Sequence, residues 1–335
     1  RFLEGAIESD VDALCDGEEV YIGGILEHIE EAGIHSGDSA TCIPPFSFSE
    51  SLQAKLRETT RRIAMALGVR GLVNVQYAIK GETVYVIEAN PRASRTVPFI
   101  SKATGVPLAK CAARIMAGDS IASLCLPSDE RQLDWFCMKE AVMPWGRFPG
   151  ADVILGPEMK STGEVMGIAK SYPEAYAKTQ LAIDYKLPDP SSGKVFISVC
   201  DRDKRHILSV ARILRYLGFD ICSTEGTARV LRGGNVTCEV VEKISGSHDG
   251  ERPNIGDLIA DGKIAVIVNT PYGPGSRGDG YLLRTEAVRR GVTCVTAMSA
   301  ANTYVSAIEA VREDQQGHGS ANDMGMDVIA LQDLP

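Results

Sequence analysis

Apolar and polar residues alternate with period two through AIESDVDALCDG (6–17) and EEVYIGGILEHIEEAGIHSGDSA (18–40), a pattern that predicts antiparallel strands joined at Asp16-Gly17. The period lengthens over 49–67, SESLQAKLRETTRRIAMAL, where a serine near the start and Gly68 after the end bracket an amphipathic helix. Two apolar runs follow, GLVNVQYAI (71–79) and TVYVIEA (83–89), and predict strands joined around Lys80-Gly81-Glu82. Val84–Ile87 reads as a buried strand. VPLAKCAARIMAG (106–118) predicts a helix that Gly118 stops. ADVILGPEMKSTGEVMGIAKS (151–171) is Gly-rich and loop-like, and YPEAYAKTQLAIDY (172–185) predicts a helix.

LPDPSSG (187–193) gathers two prolines, two serines and a glycine, and marks a domain boundary. Beyond it the texture is β-α-β. Strands KVFISVC (194–200), FDICSTEG (219–226), TCEVVEKI (237–244), IAVIVNTP (264–271) and VTCVTAM (292–298) alternate with helices ending in SAANTYVSAIEAVRE (299–313). Such alternation predicts a parallel sheet covered on both faces. GPGSRGDG (273–280) reads as a mobile loop, and 314–335 as a tail.

The 335 residues suffice for two cored domains. Lys and Arg number 35 against 44 Asp and Glu, and the net charge of −9 argues against a general binder of nucleic acid or membrane surfaces. No apolar run is long enough to span a bilayer, and no leader pattern opens the chain. The nine cysteines include no C-x-x-C pair and read as small core residues of a reducing, cytoplasmic compartment. The chain starts at Arg1 without methionine and reads as entered partway through a domain.

The end of the 83–89 strand carries the chemistry. A hairpin closed by a loop of about three residues sets Gln76 opposite Glu88, and alternation puts Asn90 on the same face. The three side chains offer oxygen donors suited to Mg²⁺, which takes its remaining ligands from water and phosphate. Arg92 and Arg95, just beyond, can offset the charge of a transferring phosphoryl group. A plain ion pair between Glu88 and Arg92 at a polar strand end is the alternative.

VYVIEANPRASRTVPFISKATGVPLAK (84–110) resembles the carbamoyl-phosphate synthase large-subunit family, in its C-terminal half. So do DVDALCDGEEVYIGGILEHIEEAGIHSGDSA (10–40), RGLVNVQYAI (70–79) and FPGADVILGPEMKSTGEVMGI (148–168), and the resemblance runs from residue 1 to about 313. It implies an α/β chain: the C-terminal part of an α+β ATP-grasp domain (1–118), a connecting subdomain (119–186), a Rossmann-like methylglyoxal-synthase-like allosteric domain (187–313) and a tail (314–335). The activity it implies is a ligase step of pyrimidine and arginine biosynthesis, phosphorylation of carbamate with ATP and two Mg²⁺ or Mn²⁺ ions. Gln76, Glu88 and Asn90 resemble the metal ligands, and Arg95 the arginine that stabilises the transferred group. Arg1, Leu3, Glu8, Gly33, Ile34, His35 and Ser36 match nucleotide-contacting positions, with Glu8 at the ribose hydroxyls. The family's preceding phosphate-covering half and N-terminal synthetase unit are not in this sequence, so the chain alone is expected to have little or no synthase activity.

In the second domain, Ser198, Lys204, Thr224, Thr227, Lys243 and Asn269 fall at successive strand ends, where ligands of open parallel sheets bind. The resemblance implies that they hold a nucleotide monophosphate, UMP or IMP. Asp201 or Asp279 would be the recruits for methylglyoxal-synthase chemistry, which is not expected. Glu30, Asp38, Glu140 and Thr296 match an ornithine pocket between the domains, and Cys294 stands where ornithine-sensitive relatives carry tyrosine. The partners implied are a glutaminase small subunit and the rest of the large subunit, with self-association left open. An autonomous nucleotide-sensing module and a different ATP-grasp ligase, such as a biotin-carboxylase-like enzyme, are the other readings.

Overall fold

Alternation along β1 (Ile7–Cys15) sends Val11, Ala13 and Cys15 to one side and Asp10, Asp12 and Leu14 to the other. The computed structural model describes residues 3, 5–127, 133–147, 152–183, 187–246, 252–270, 276–318 and 330–333. β1, β2 (Val20–Glu31), β3 (Thr41–Ile43), β4 (Gly71–Lys80), β5 (Thr83–Asn90), β6 (Phe136–Val142) and β7 (Gly163–Ala169) make one antiparallel sheet, ordered β5-β4-β1-β2-β3-β6-β7. Helix α1 (Glu50–Ala66), capped by the Ser49 hydroxyl accepting from Leu52 N at 3.2 Å, lays Leu52, Leu56 and Ala64 on the Val11 side. Helices α2 (Thr96–Thr104) and α3 (Leu108–Met116) cover Leu14 and Leu72 on the other side. Helix α4 (Tyr172–Ala182) packs on β6 and β7.

Strands β8 (Lys194–Val199), β9 (Ile221–Ser223), β10 (Glu239–Val240), β11 (Ile264–Thr270) and β12 (Thr293–Val295) form a parallel sheet ordered β10-β9-β8-β11-β12. Its helices are α5 (Ile207–Tyr216), α6 (Glu225–Gly233), α7 (Ile255–Ala260), α8 (Ser276–Arg290) and α9 (Met298–His318). Val195, Ile197, Val266 and Val268 share a core with α5 and α9, while Phe196 and Ile267 face α7 and α8. The strand order reverses direction between β8 and β11, which opens a crevice at their carboxyl ends.

Four expectations change. Val84–Ile87 is not a buried strand: Tyr85, Val86 and Ile87 are 41–48% exposed, because β5 is an edge strand whose outer neighbour position is empty among the described residues. The loop-like 151–171 stretch contains β7, whose seven residues pair in register with β6. Of the 273–280 loop, residues 276–280 are the first turns of α8 and the remainder lies outside the described residues. The proposed tail begins inside a helix, since α9 continues to His318. All nine cysteines are free thiols, five of them buried.

Candidate functional site

Residues of β4 and β5 pair in the expected combination: Gln76 is opposite Glu88 and Asn74 opposite Asn90. The route differs from the expected three-residue loop. Lys80 pairs with Thr83 across a two-residue turn with Gly81 at φ +60°, and one extra residue, Ile87, bulges from the ladder between Val86 and Glu88. Without that bulge Ile87 would face Gln76, and Glu88 would turn to the α1 side. Asn90 Nδ2 donates to Glu88 Oε1 at 2.8 Å. The Glu88–Arg92 ion pair is not formed; Arg92 Nη1 donates instead to Ala93 O at 3.0 Å.

A cavity of about 700 Å³ lies over this face, lined by Glu8, Gly33, Ile34, His35, Ser36, Gln76, Glu88, Arg92 and Arg95, with Pro157 and Met159 closing one side. Gln76 Nε2 donates to Ser36 Oγ at 3.3 Å, and Gly33 N to Glu8 Oε1 at 2.9 Å, so the loop after β2 is tied to both strands. Asn90 stands behind Glu88 and does not line the cavity. Leu3 is half-buried in the turn before β1, its carbonyl accepting from Ala6 N. Arg1 lies outside the described residues.

The floor holds residues that the reading of the sequence passed over. Asp10 Oδ2 meets His28 Nε2 at 2.9 Å, and Asn74 Nδ2 donates to Asp10 and Asp12 at 3.3 and 3.2 Å. Asp12 accepts from Ser94 Oγ at 2.6 Å and from Thr96 Oγ1, and so holds the segment that presents Arg95. Burial pushes the Asp12 carboxyl up to about 6 despite those donors. Burial likewise raises Glu8. The buried Lys139 ammonium donates to Ser36 O at 3.2 Å and Ser39 O at 2.7 Å, and desolvation lowers its pKa. The available signal was phase: Asp10 and Asp12 alternate with Val11 and Ala13, which puts two carboxylates on the face of Asn74 and Gln76.

A second cavity, of about 250 Å³, lies between the two sheets and brings together Glu30, Asp38, Glu140 and Thr296, with Cys294, Tyr176 and Tyr304 around them. Asp38 accepts from Lys160 N and Ser161 N at 2.7 and 2.9 Å, and Glu30 Oε2 from Ser39 Oγ and Ala40 N, both at 2.7 Å. Burial, and then the charge of Glu30, pushes Glu140 up to about 8.

The crevice of the parallel sheet holds the third group. Ser198 and Asn269 are cross-strand partners on β8 and β11, and Asn269 Nδ2 donates to Ser198 O at 2.9 Å. Ser198 Oγ meets Thr224 Oγ1 at 3.1 Å, and Val199 N donates to Thr227 Oγ1 at 3.3 Å. Lys204 is paired with Asp201, and Lys243 Nζ lies 3.6 Å from Asp279 Oδ2. Both aspartates are therefore partners of cations.

Residues 1–124 match the family model "Carbamoyl-phosphate synthase L chain, ATP binding domain", and residues 206–296 match the MGS-like domain. The carbamoyl phosphate synthase large chain of Methanothermobacter thermautotrophicus is 52% identical over 93% of this chain and 29% of its own length. The C-terminal sections of that large chain in Methanocaldococcus jannaschii (50% identical; 93% and 51% covered) and Aquifex aeolicus (45%; 100% and 63%) are similar throughout. Among solved structures, the biotin carboxylase domain of a single-chain bacterial carboxylase is similar in part, with a TM-score of 0.44 and 15% identity over 53% of this chain and 48% of that one. The chain spans about three tenths of the full-length large chains and one half to two thirds of the C-terminal sections. With a match to an ATP-binding domain followed by one to an MGS-like domain, and these relatives along its length, the chain is similar in both halves to the carbamoyl phosphate synthase large chain.

Proposed function

We propose that the first half of this chain supplies the metal- and phosphate-facing wall of an ATP-grasp site that phosphorylates carbamate with MgATP, and that the second half binds a nucleoside monophosphate, UMP or IMP, which adjusts that step. The observation that carries the reading is the cavity in which Glu8, His35, Ser36, Gln76, Glu88 and Arg95 converge from four separate segments. The donor set suits a hard divalent ion: a carboxylate on β5 directly opposite an amide on β4, with a second amide bonded to the carboxylate. Gln76 and Glu88 would hold Mg²⁺ or Mn²⁺, with Asn90 fixing the Glu88 carboxylate from behind, and the ion when bound neutralises phosphate charge and polarises the γ-phosphoryl group.

The chain's own groups do the rest. Glu8, with one oxygen fixed by Gly33 N, keeps acceptor capacity for ribose hydroxyls. His35 and Ser36 offer donors to phosphate or carbamate oxygens, and Arg95 meets the negative charge of the phosphoryl group in flight. Glu30, Asp38, Glu140 and Thr296 would receive the ammonium groups of ornithine. Ammonia would come from a glutaminase partner, in the cytoplasm, and turnover would require the remainder of the large chain.

The test is calorimetry and thermal shift on this chain with MgATP, UMP, IMP and ornithine. Glu88→Gln is expected to weaken MgATP about tenfold or more and to leave UMP and IMP unchanged. Thr227→Ala and Lys243→Ala are expected to do the reverse. Loss of both ligand classes in either set, or MgATP binding indifferent to Glu88→Gln, refutes the assignment.

A further inference from the structure

Arg284 heads the fully buried side chains by size, at 0% exposure. Burying a guanidinium is costly unless every face finds a partner. Its partners here sit in both halves of the molecule. Nε and Nη2 donate to the two oxygens of Asp152 at 2.7 and 2.8 Å, a forked pair, and Nη1 donates to Asn269 Oδ1 at 3.0 Å. Backbone shape is fitted to it: a Cβ on Gly280 would stand 2.5 Å from Arg284 Nη1.

Each partner leads to a site. Asn269 faces Ser198 across the crevice, and with Oδ1 taken by Arg284 its amide must present Nδ2 to Ser198 O, so Arg284 fixes how Asn269 is oriented. Asp152 opens a segment held against the ATP-facing cavity. Gly156 O accepts from His35 N at 2.8 Å, Lys160 N and Ser161 N donate to Asp38, and Lys160 Nζ returns to Asp152 O and Ile154 O at 3.2 and 2.7 Å. Pro157 and Met159 of the same segment line that cavity. At the other end, Asp279 lies on α8 five residues before Arg284 and pairs with Lys243.

We propose that Arg284 is a positioning residue that couples the crevice of the parallel sheet to the ATP-facing cavity, through Asn269 on one side and Asp152 on the other. The inference rests on the nucleotide-monophosphate reading given above. A phosphate that draws Lys243 away from Asp279 leaves the Ser245 hydroxyl as that carboxylate's remaining partner, and a ligand group that rebonds Asn269 releases Nη1 of Arg284, so that α8 can shift. Arg284 then carries that movement to Asp152 and to the segment between Gly156 and Ser161. The two arrangements are Lys243 paired with Asp279 and Lys243 paired with ligand. Because coupling of binding is reciprocal, occupancy of the cavity must alter affinity at the crevice by the same factor.

Hydrogen exchange read by mass spectrometry, with calorimetry alongside, tests this on the present chain with UMP and IMP as probes. In the parent protein, ligand is expected to change exchange in 33–38 and 152–162 by about fivefold or more. Asp152→Asn keeps the shape and loses the forked charge. It is expected to bind the same probe within about threefold of the parent while the remote change disappears. Arg284→Lys retains the charge, gives up the fork and the Asn269 bond, and is expected to lose the remote change and to weaken the probe as well. It supplies the readout should Asp152→Asn fail to fold. A remote change that persists in these variants, or probe binding in the parent without any change at 33–38 and 152–162, overturns the coupling. No binding of either probe to the parent removes the nucleotide-site reading and the coupling together.

Discussion

Asp12 lies beneath the cavity with 0% exposure, bonded to the lining residues Asn74, Ser94 and Thr96, and these neighbours only partly offset the cost of ionising it. Burial raises its pKa, the Ser94 and Thr96 hydroxyls lower it, the nearby Asp10 charge raises it again, and the outcome is about 6. Between roughly pH 4 and 6 the folded chain therefore keeps a proton that the unfolded chain releases, so this group's contribution to stability falls as pH rises through that window, by about 2–3 kcal/mol. Asp12→Asn cannot titrate, and its stability relative to the parent is expected to improve from pH 4 to pH 7 and then level off. Denaturant melts at four pH values measure it; a difference that does not vary with pH would mean that Asp12 ionises at an ordinary pKa. The amide also offers one acceptor where the carboxylate serves two hydroxyls, so the Arg95 segment loosens and MgATP affinity is expected to drop with it.

Elements were legible where their residues answer to near neighbours. Helix α1 begins at its serine cap, and the β4–β5 pairing is right because alternation fixes which residues share a face. The bulge at Ile87 was not legible, since a longer turn yields the same Gln76–Glu88 pair. Helix α2 was passed over because Pro98 interrupts its pattern, although proline is tolerated in a first turn. Strand β6 pairs with β3, nearly a hundred residues away, and β7 carries two glycines, so neither announces itself locally. One of those glycines has a packing reason: a Cβ on Gly167 would lie 2.2 Å from Ala175 O, a backbone atom of α4. Gly167→Ala is expected to cost about 2–4 kcal/mol, because strand and helix must separate. Gly163→Ala, at the open start of the same strand, should cost under about 1 kcal/mol. Equal losses in chemical denaturation would show that strand propensity, not the approach of α4, decides. The buried charges, Asp12, Lys139 and Arg284, look in the sequence like any solvated residue, and only packing reveals them.

At the scale of the molecule, the linker at 187–193 separates two sheets that keep cores of their own but share a bridging one. Tyr172, Ala175 and Tyr176 of α4 share one apolar cluster with Tyr304 and Ile308 of α9 and Val195 and Ile197 of β8. Tyr172 Oη meets Thr303 Oγ1 at 2.9 Å in that interface, and Arg202 reaches Glu31 at 2.8 Å at its rim. Within the same junction Glu140 is held at about 8 by burial and by Glu30, whose own carboxyl is raised by burial. A carboxyl raised this far keeps its proton in the folded chain from about pH 4.5 to 8 while the unfolded chain loses it, so the junction weakens as pH rises across that range. Glu140→Gln is therefore expected to gain stability over the parent steadily from pH 5 to pH 8, by about a few kcal/mol, with no further gain above. Because the cluster is continuous, that gain should move a single calorimetric transition rather than one of two. Two separated transitions, with only one shifted, would mean that the sheets unfold independently and that the junction carries too little energy to transmit anything between them. On the proposed ornithine site the remedy is the opposite: ammonium groups would favour the ionised carboxylates, so the parent should gain more from ornithine at pH 8 than at pH 6, and Glu140→Gln should gain little at either.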